Sequence, residues 1–114
     1  MNVAYRLAPG LMYRKSPPEQ DAAFLRFVRS HPCSVCGTWR GVEACHTGPR
    51  GLSTRSDDRS AIPLCRRHHR TNSDSLHALG PLKFEERHRV SIRAIQAELN
   101  REYDGLLSRR KGLR

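Results

Sequence analysis

The sequence has few large apolar residues. Only 37% of its 114 residues are hydrophobic and only 6% are aromatic. A chain of this length is expected to form a single domain, and domains this small bury proportionally little of their surface. A core held by apolar packing alone is therefore not expected. The four cysteines and six histidines suggest that a metal stabilises the fold instead.

Long hydrophobic runs are also missing. No stretch approaches the roughly 20 apolar residues of a membrane-spanning helix, so membrane binding is not expected. The first 20 residues contain no apolar segment of signal-peptide length, which predicts a cytoplasmic protein. In a reducing compartment, paired cysteines are metal ligands more often than disulfide partners.

Basic residues are in large excess. The chain carries 21 Lys and Arg against 11 Asp and Glu, a formal net charge of +10, and the excess is spread along its length. Such a distribution favours a broad surface that binds phosphates, and it predicts DNA or another nucleic acid as the partner. The alternative is a basic protein whose charge serves solubility alone.

The hydrophobic pattern predicts a small α+β domain over residues 19–107, after an N-terminal arm at 1–18 and before a basic tail at 108–114. Asp21 is a candidate N-cap for the first helix. Pro63 suits the first position of the central helix. The predicted elements are a helix at 19–30, a hairpin at 38–46 that turns at Arg40-Gly41, a short strand at 61–62, and helices at 63–72, 83–88 and 91–107.

Two pairs of metal-ligating residues have the spacing of a zinc site. Cys33-x-x-Cys36 supplies two thiolates from one tight turn, and Cys65-x-x-His68 supplies a thiolate and an imidazole from one helical turn. Four such ligands form a closed tetrahedral zinc site, which we predict here with a structural role. The main alternative replaces His68 with Cys45.

Once zinc is assigned, the remaining candidates for chemistry are His46, His69 and the acidic pair Asp57-Asp58. Hydrolysis of a phosphodiester needs a base to activate water and a divalent cation to polarise the phosphate. His46 fits the base, and His69, next to the zinc ligand His68, fits a ligand of the catalytic metal. His77 is a candidate second ligand, and Asp58 a candidate hydrogen-bond partner of His46. Taken singly, each has an ordinary alternative as a packed or solvated side chain.

Three segments, PCSVCG, EACHTGPRGLSTRSDDRSAIPLCRRHHR and SLHALGPLKF, resemble a small phage- and prophage-type branch of the HNH endonuclease superfamily. The resemblance covers about residues 23–88. It implies a ββα-metal (His-Me finger) core at about 33–80, in which a β-hairpin and a helix hold a catalytic divalent metal (Mg²⁺, Mn²⁺, Ni²⁺ or Zn²⁺) beside a structural zinc, with further helices flanking the core.

By position, the resemblance makes His46 the general base, Asp58 the middle residue of the motif and His69 the metal-binding histidine. It further implies phosphate contacts from basic residues around the helix and the preceding loop, which are Arg50, Arg55, Arg66, Arg67 and Arg70. Two positions depart from the pattern: the middle residue is acidic rather than Asn, and Cys45 stands where many relatives carry an acidic or His metal ligand.

The expected function is therefore metal-dependent cleavage of DNA by an HNH endonuclease encoded by a phage or prophage and acting in the bacterial cytoplasm. The principal alternative is a zinc module that binds nucleic acid without cutting it. His46 and His69 distinguish the two, because a module that only binds needs neither. A third interpretation, an adaptor that binds a phage protein, predicts a large apolar surface.

Overall fold

The computed structural model describes residues 21–47 and 57–112. A two-stranded antiparallel sheet lies at its centre. Strand β1 (Val42–His46) pairs with strand β2 (Ala61–Cys65), so that Val42 faces Cys65 and His46 faces Ala61. The predicted N-terminal arm lies outside the described residues.

This pairing corrects the hairpin predicted within residues 38–46. The second strand of the hairpin is β2, and the turn at Arg40-Gly41 leads into β1 rather than joining two strands. All five residues of β2 are buried, because an apolar run of this length can bury both faces of a strand.

The helix predicted to begin at Pro63 is also wrong at its start. Pro63 lies inside β2 opposite Ala44, and its carbonyl accepts a hydrogen bond from the Ser34 amide at 2.9 Å. Proline is compatible with this position because both strands of a two-stranded sheet are edge strands, which do not need every N–H for pairing. The chain becomes helical only at a π-helical turn, Arg67–Thr71.

Helix α1 (Ala22–Arg29) confirms the first predicted helix and its cap. The Asp21 side chain accepts a hydrogen bond from the Phe24 amide at 3.0 Å, which satisfies one of the N–H groups that a helix start leaves without a partner. Phe24 and Val28, one turn apart, are fully buried. The helix thus packs one apolar face against the sheet.

The C-terminal half contains three helices. They are α2 (Leu76–Leu79), α3 (Pro81–His88) and α4 (Ile92–Gly112). Helix α2 falls in a segment predicted as a loop, and the Ser75 hydroxyl caps it by accepting from the Ala78 amide at 3.2 Å. Helix α4 extends past residue 107 into the predicted basic tail. Basic residues suit the last turns of a helix because they interact favourably with its dipole.

The core consists of two clusters of buried residues that share strand β2. The first joins both strands to α2, α3 and the start of α4, and contains Cys33, Cys45, Ile62, Leu64, Cys65, Leu76, Phe84 and Ile92. The second joins α1 to α4 and contains Phe24, Val28, Ala61 and Leu99. Ile95 packs against both, so α4 contributes to each cluster, in agreement with the helix predicted at 91–107.

The chain is thus a small α+β protein, as predicted at that level. Within the part of the chain that the structure describes, none of the helices combines the length and the apolar character needed to cross a bilayer.

Candidate metal centre and histidine cleft

Four side chains form a cluster of potential metal ligands at the edge of the sheet. Cys33 and Cys36 come from the turn after α1, Cys65 ends β2, and His68 lies in the π-helical turn. Their ligand atoms lie within 4.8 Å of one another. The Cys36 and Cys65 sulfurs are 3.9 Å apart, and His68 Nδ1 lies 3.3 Å from the Cys65 sulfur and 3.8 Å from that of Cys33. The four residues are close enough to hold one metal ion.

The surroundings of two of these four residues, Cys33 and His68, favour the form that binds metal. Burial acts to raise the pKa of the Cys33 thiol, but neighbouring backbone amides outweigh that effect and hold the pKa below its ordinary value. Burial lowers the pKa of His68. A thiolate and a neutral imidazole are the forms in which these residues bind metals. The Cys36 thiol has a raised pKa: a backbone hydrogen bond at Thr38 lowers it, but burial and the nearby thiols of Cys33 and Cys65 outweigh that bond.

Cys45 does not belong to the metal cluster. Its side chain is buried in the first core cluster, with 1% exposed, and its thiol points toward the His46 carbonyl at 3.8 Å. None of the four cysteines forms a disulfide. The arrangement agrees with the ligand set that includes His68 and not with the alternative that uses Cys45.

An acidic neighbour of the cluster was not predicted from the sequence. Asp74 forms a second group of potential ligands with His68 and His88, whose candidate atoms also lie within 4.8 Å of one another. His88 Nε2 donates to the Asp74 backbone carbonyl at 2.8 Å. Among residues 21–47 and 57–112, one buried carboxylate oxygen of Asp74, Oδ1, has no hydrogen-bond partner. Because buried polar atoms are nearly always paired, this oxygen is an available acceptor beside a metal ligand.

A cleft of about 500 Å³ opens on the other side of the π-helical turn. Three of the predicted site residues line it: His46 from the end of β1, His69 from the turn and His77 from α2. The remaining lining residues are Ala44, Thr47, Leu76, Pro81 and Ile92. His68 and His69 are adjacent in sequence, yet one faces the sulfur cluster and the other the cleft, as the angle between neighbouring helical residues predicts.

Asp58 holds the imidazole of His46. Its carboxylate accepts a hydrogen bond from His46 Nε2 at 2.8 Å and another from the Asp21 amide at 2.7 Å. The Asp58 side chain is only 7% exposed. An ionised carboxylate can only accept hydrogen bonds, so the neutral imidazole carries its proton on Nε2 and leaves Nδ1 as the unprotonated nitrogen.

Glu43 holds the imidazole of His69 in the same manner. Its carboxylate accepts from His69 Nδ1 at 2.7 Å and from Arg70 at 2.9 Å. The hydrogen bond from Arg70, followed by that from His69, keeps the pKa of Glu43 below its ordinary value, so the carboxylate is ionised at neutral pH. The remaining nitrogen of His69, Nε2, then has a lone pair that can bind a metal. Sequence analysis assigned no role to Glu43.

The rings of His69 and His77 lie close together, with centroids 4.7 Å apart and planes at 76°. Within residues 21–47 and 57–112, however, the cleft histidines do not form a cluster of three ligands as tight as the sulfur cluster. The cleft thus brings His46, His69 and His77 together without assembling them around one point.

Three of the predicted phosphate-binding arginines follow β2. Arg66, Arg67 and Arg70 are exposed, although Arg70 also pairs with Glu43. The other two, Arg50 and Arg55, lie outside the described residues.

Residues 7–104 match the family model described as "Protein of unknown function (DUF968)". The chain belongs to the DUF968 family. The matched region of this DUF968 protein includes all four potential ligands of the sulfur cluster and all three histidines of the cleft. No curated protein and no solved structure shows significant similarity to the chain.

Proposed function

We propose that this protein is a metal-dependent HNH-type endonuclease that hydrolyses DNA and is stabilised by a structural zinc ion. The single observation that carries the proposal is the cleft in which two histidines, each hydrogen-bonded to its own carboxylate, lie beside a sulfur-rich ligand cluster. The cluster would maintain the fold, and the cleft would perform the chemistry.

Zinc suits the sulfur cluster in both ligand type and size. Zn–S bonds of about 2.3 Å and Zn–N bonds of about 2.0–2.1 Å place the ligand atoms of a regular tetrahedron about 3.6–3.8 Å apart. Three of the six separations, 3.3, 3.8 and 3.9 Å, lie near those values, and all six are within 4.8 Å. Thiolates and imidazole also favour zinc over Mg²⁺ or Ca²⁺, which prefer oxygen ligands.

His46 is the proposed general base. Its Nδ1 would accept a proton from the attacking water, while Asp58 holds the ring and stabilises the imidazolium that forms. The Asp21 amide at 2.7 Å fixes the carboxylate in turn. In this interpretation Asp58 replaces the Asn expected at the middle position of the motif.

His69 is the proposed ligand of the catalytic metal, through Nε2. A carboxylate on the opposite ring nitrogen orients a metal-binding histidine and increases its basicity, and Glu43 supplies that carboxylate at 2.7 Å. His77 would be the second protein ligand. A divalent metal bound here would polarise the phosphate and stabilise the leaving oxygen. Water would attack phosphorus, and the bond from phosphorus to the 3′ oxygen would break, leaving a 3′-hydroxyl.

A supercoiled-plasmid assay with Mg²⁺, Mn²⁺ or Ni²⁺ tests the proposal. We expect the wild type to nick or cut the plasmid and His46→Ala to be slower by about 100-fold or more, the usual contribution of a general base. His31→Ala is the matched control, because His31 contacts Phe27 and Glu102 away from the cleft and its loss should leave cutting intact.

Two outcomes would overturn the assignment. Equal cutting by wild type and His46→Ala would mean that another group is the base. An intact plasmid in every metal, with retardation on a gel retained, would favour the second candidate function, a zinc module that only binds nucleic acid. One observation already favours that candidate: the cleft histidines do not form a three-ligand cluster within the described residues.

A further inference from the structure

An exposed tryptophan stands at the opposite end of β1 from His46. Trp39 is 71% exposed, in a turn between the potential metal ligand Cys36 and the start of the strand. It is the one Trp in the sequence. Tryptophan is on average one of the more buried residue types. Its exposure in a chain with so few aromatic residues makes it a candidate binding surface for another molecule.

The backbone around Trp39 is held in place. The Cys33 amide donates to the Thr38 carbonyl at 2.9 Å, and the Arg40 amide donates to the Thr38 hydroxyl at 3.2 Å. The Arg66 amide donates to the Gly41 carbonyl at 3.2 Å. These bonds connect the backbone on both sides of Trp39 to the metal cluster and to the end of β2. They therefore fix the position of the Trp39 backbone.

Positive charge surrounds this turn. Arg40 is exposed next to Trp39, and the Arg66 side chain, 67% exposed, belongs to the segment bonded to Gly41. Glu43, the nearest carboxylate along β1, is paired with His69 and Arg70, and more loosely with Arg66 at 3.9 Å, so two arginines share its single negative charge. An exposed indole on a basic part of the chain suits a polyanion that also carries flat rings, which describes a nucleic acid with unpaired bases.

We propose that Trp39, with Arg40 and Arg66, forms a contact site for nucleic acid at which an unpaired base stacks on the indole. This inference rests on the proposed function, because the partner is the same nucleic acid that would occupy the cleft. Strand β1 from Val42 to His46 spans roughly 13 Å. The stacked base would therefore lie beyond the far end of β1 from the cleft, which favours substrates that contain single-stranded or distorted DNA near the cleavage position.

The fluorescence of Trp39 tests the proposal without any cleavage step. The zinc-loaded protein, with no other divalent metal, is titrated with single-stranded oligo(dT) of about 12 nucleotides, with a blunt duplex of equal length and with heparin. We expect oligo(dT) to quench the emission, and the duplex and heparin to leave it nearly unchanged. Equal quenching by heparin, or by the duplex, would overturn base stacking.

Two variants separate stacking from charge. Trp39→Ala should bind oligo(dT) about 5- to 150-fold more weakly, the equivalent of 1–3 kcal/mol for one stacked base, and Trp39→Phe should recover much of the affinity. Leu82→Ala is the matched control, since Leu82 is also a large exposed apolar residue, 81% exposed, on α3; it should bind as the wild type does. Unchanged affinity of Trp39→Ala, with zinc content and circular dichroism intact, would refute the proposal.

The emission of the free protein tests whether another segment of the chain covers the indole. If another segment of the chain covered the indole, emission would be shifted to shorter wavelength and protected from acrylamide, and this result would also overturn the proposal. The plasmid assay is independent of these measurements, so a protein that stacks bases but does not cut DNA would refute the proposed function alone.

Discussion

Replacing Asp58 tests the part of the site that connects α1 to the cleft. Its buried carboxylate accepts hydrogen bonds from the Asp21 amide and from His46 Nε2. A hydrogen bond to a charged group contributes about 1.5–3 kcal/mol. Asp58→Ala removes both bonds and leaves two donors unsatisfied, so we expect a loss of about 2–5 kcal/mol of folding free energy. Small domains have only about 5–15 kcal/mol in total.

Asp58→Asn should cost less, about 1–2 kcal/mol, because the amide oxygen still accepts one hydrogen bond. The assay is urea unfolding followed by circular dichroism with zinc in excess. With a slope of about 2 kcal/mol per molar urea, the midpoint of Asp58→Ala should fall by roughly 1–2.5 M.

Asp57→Asn provides the matched control for these variants. It makes the same change of charge at the exposed neighbouring residue and should shift the midpoint only slightly, because surface substitutions usually change stability by less than about 0.5 kcal/mol. Equal midpoints for Asp57→Asn and Asp58→Asn would refute the reasoning, since the buried hydrogen bonds would then contribute nothing measurable.

Three further predictions concern the metal cluster. Chelation should unfold the protein, because structural zinc can contribute on the order of 10 kcal/mol; unchanged circular dichroism after complete metal removal would contradict this. Cys36→Ser should lower bound zinc well below one equivalent, whereas Cys45→Ser should retain it, and zinc counted in the purified variants distinguishes the two ligand sets. Asp74→Asn should weaken zinc binding about 10- to 100-fold, the usual effect of losing a carboxylate that supports a ligating histidine; competition with a fluorescent chelator measures this, and wild-type affinity would mean that the buried oxygen does not act on His68.

Much of the local structure could be predicted from the pattern of residue types. The cap at Asp21 and the buried face of α1 follow from a polar residue placed directly before apolar residues at helical spacing. Helix α4 follows from the hydrophobic pattern of residues 91–107. Helix α2 and the end of α4 were missed because their signals are short or polar. The strand through Pro63 was missed because proline next to apolar residues is also typical of a helix start.

The remaining errors and omissions involve contacts between distant residues. Glu43 has no feature that separates it from a solvated surface carboxylate, and only the course of the chain after β2 brings His69 and Arg70 to it. The same is true of the Asp74 carboxylate near His68. That Arg50 and Arg55 contact phosphates stays a prediction, because both lie outside the described residues.

The sequence by itself determined the two pairs of potential metal ligands, because two residues spaced three apart in a turn or helix point to one place. It also determined that His68 and His69 face different sides, since helical geometry fixes the angle between neighbours. The tertiary structure decided between His68 and Cys45, because only the packing of β1 puts Cys45 in the core. The sequence also predicted Asp58 as the partner of His46, but only the tertiary structure decided that Glu43 holds His69 and which ring nitrogen of each imidazole remains available. Hydrogen-bond partners 12 and 26 residues apart depend on strand register and on the packing of α1 and the π-helical turn, and no local pattern encodes those.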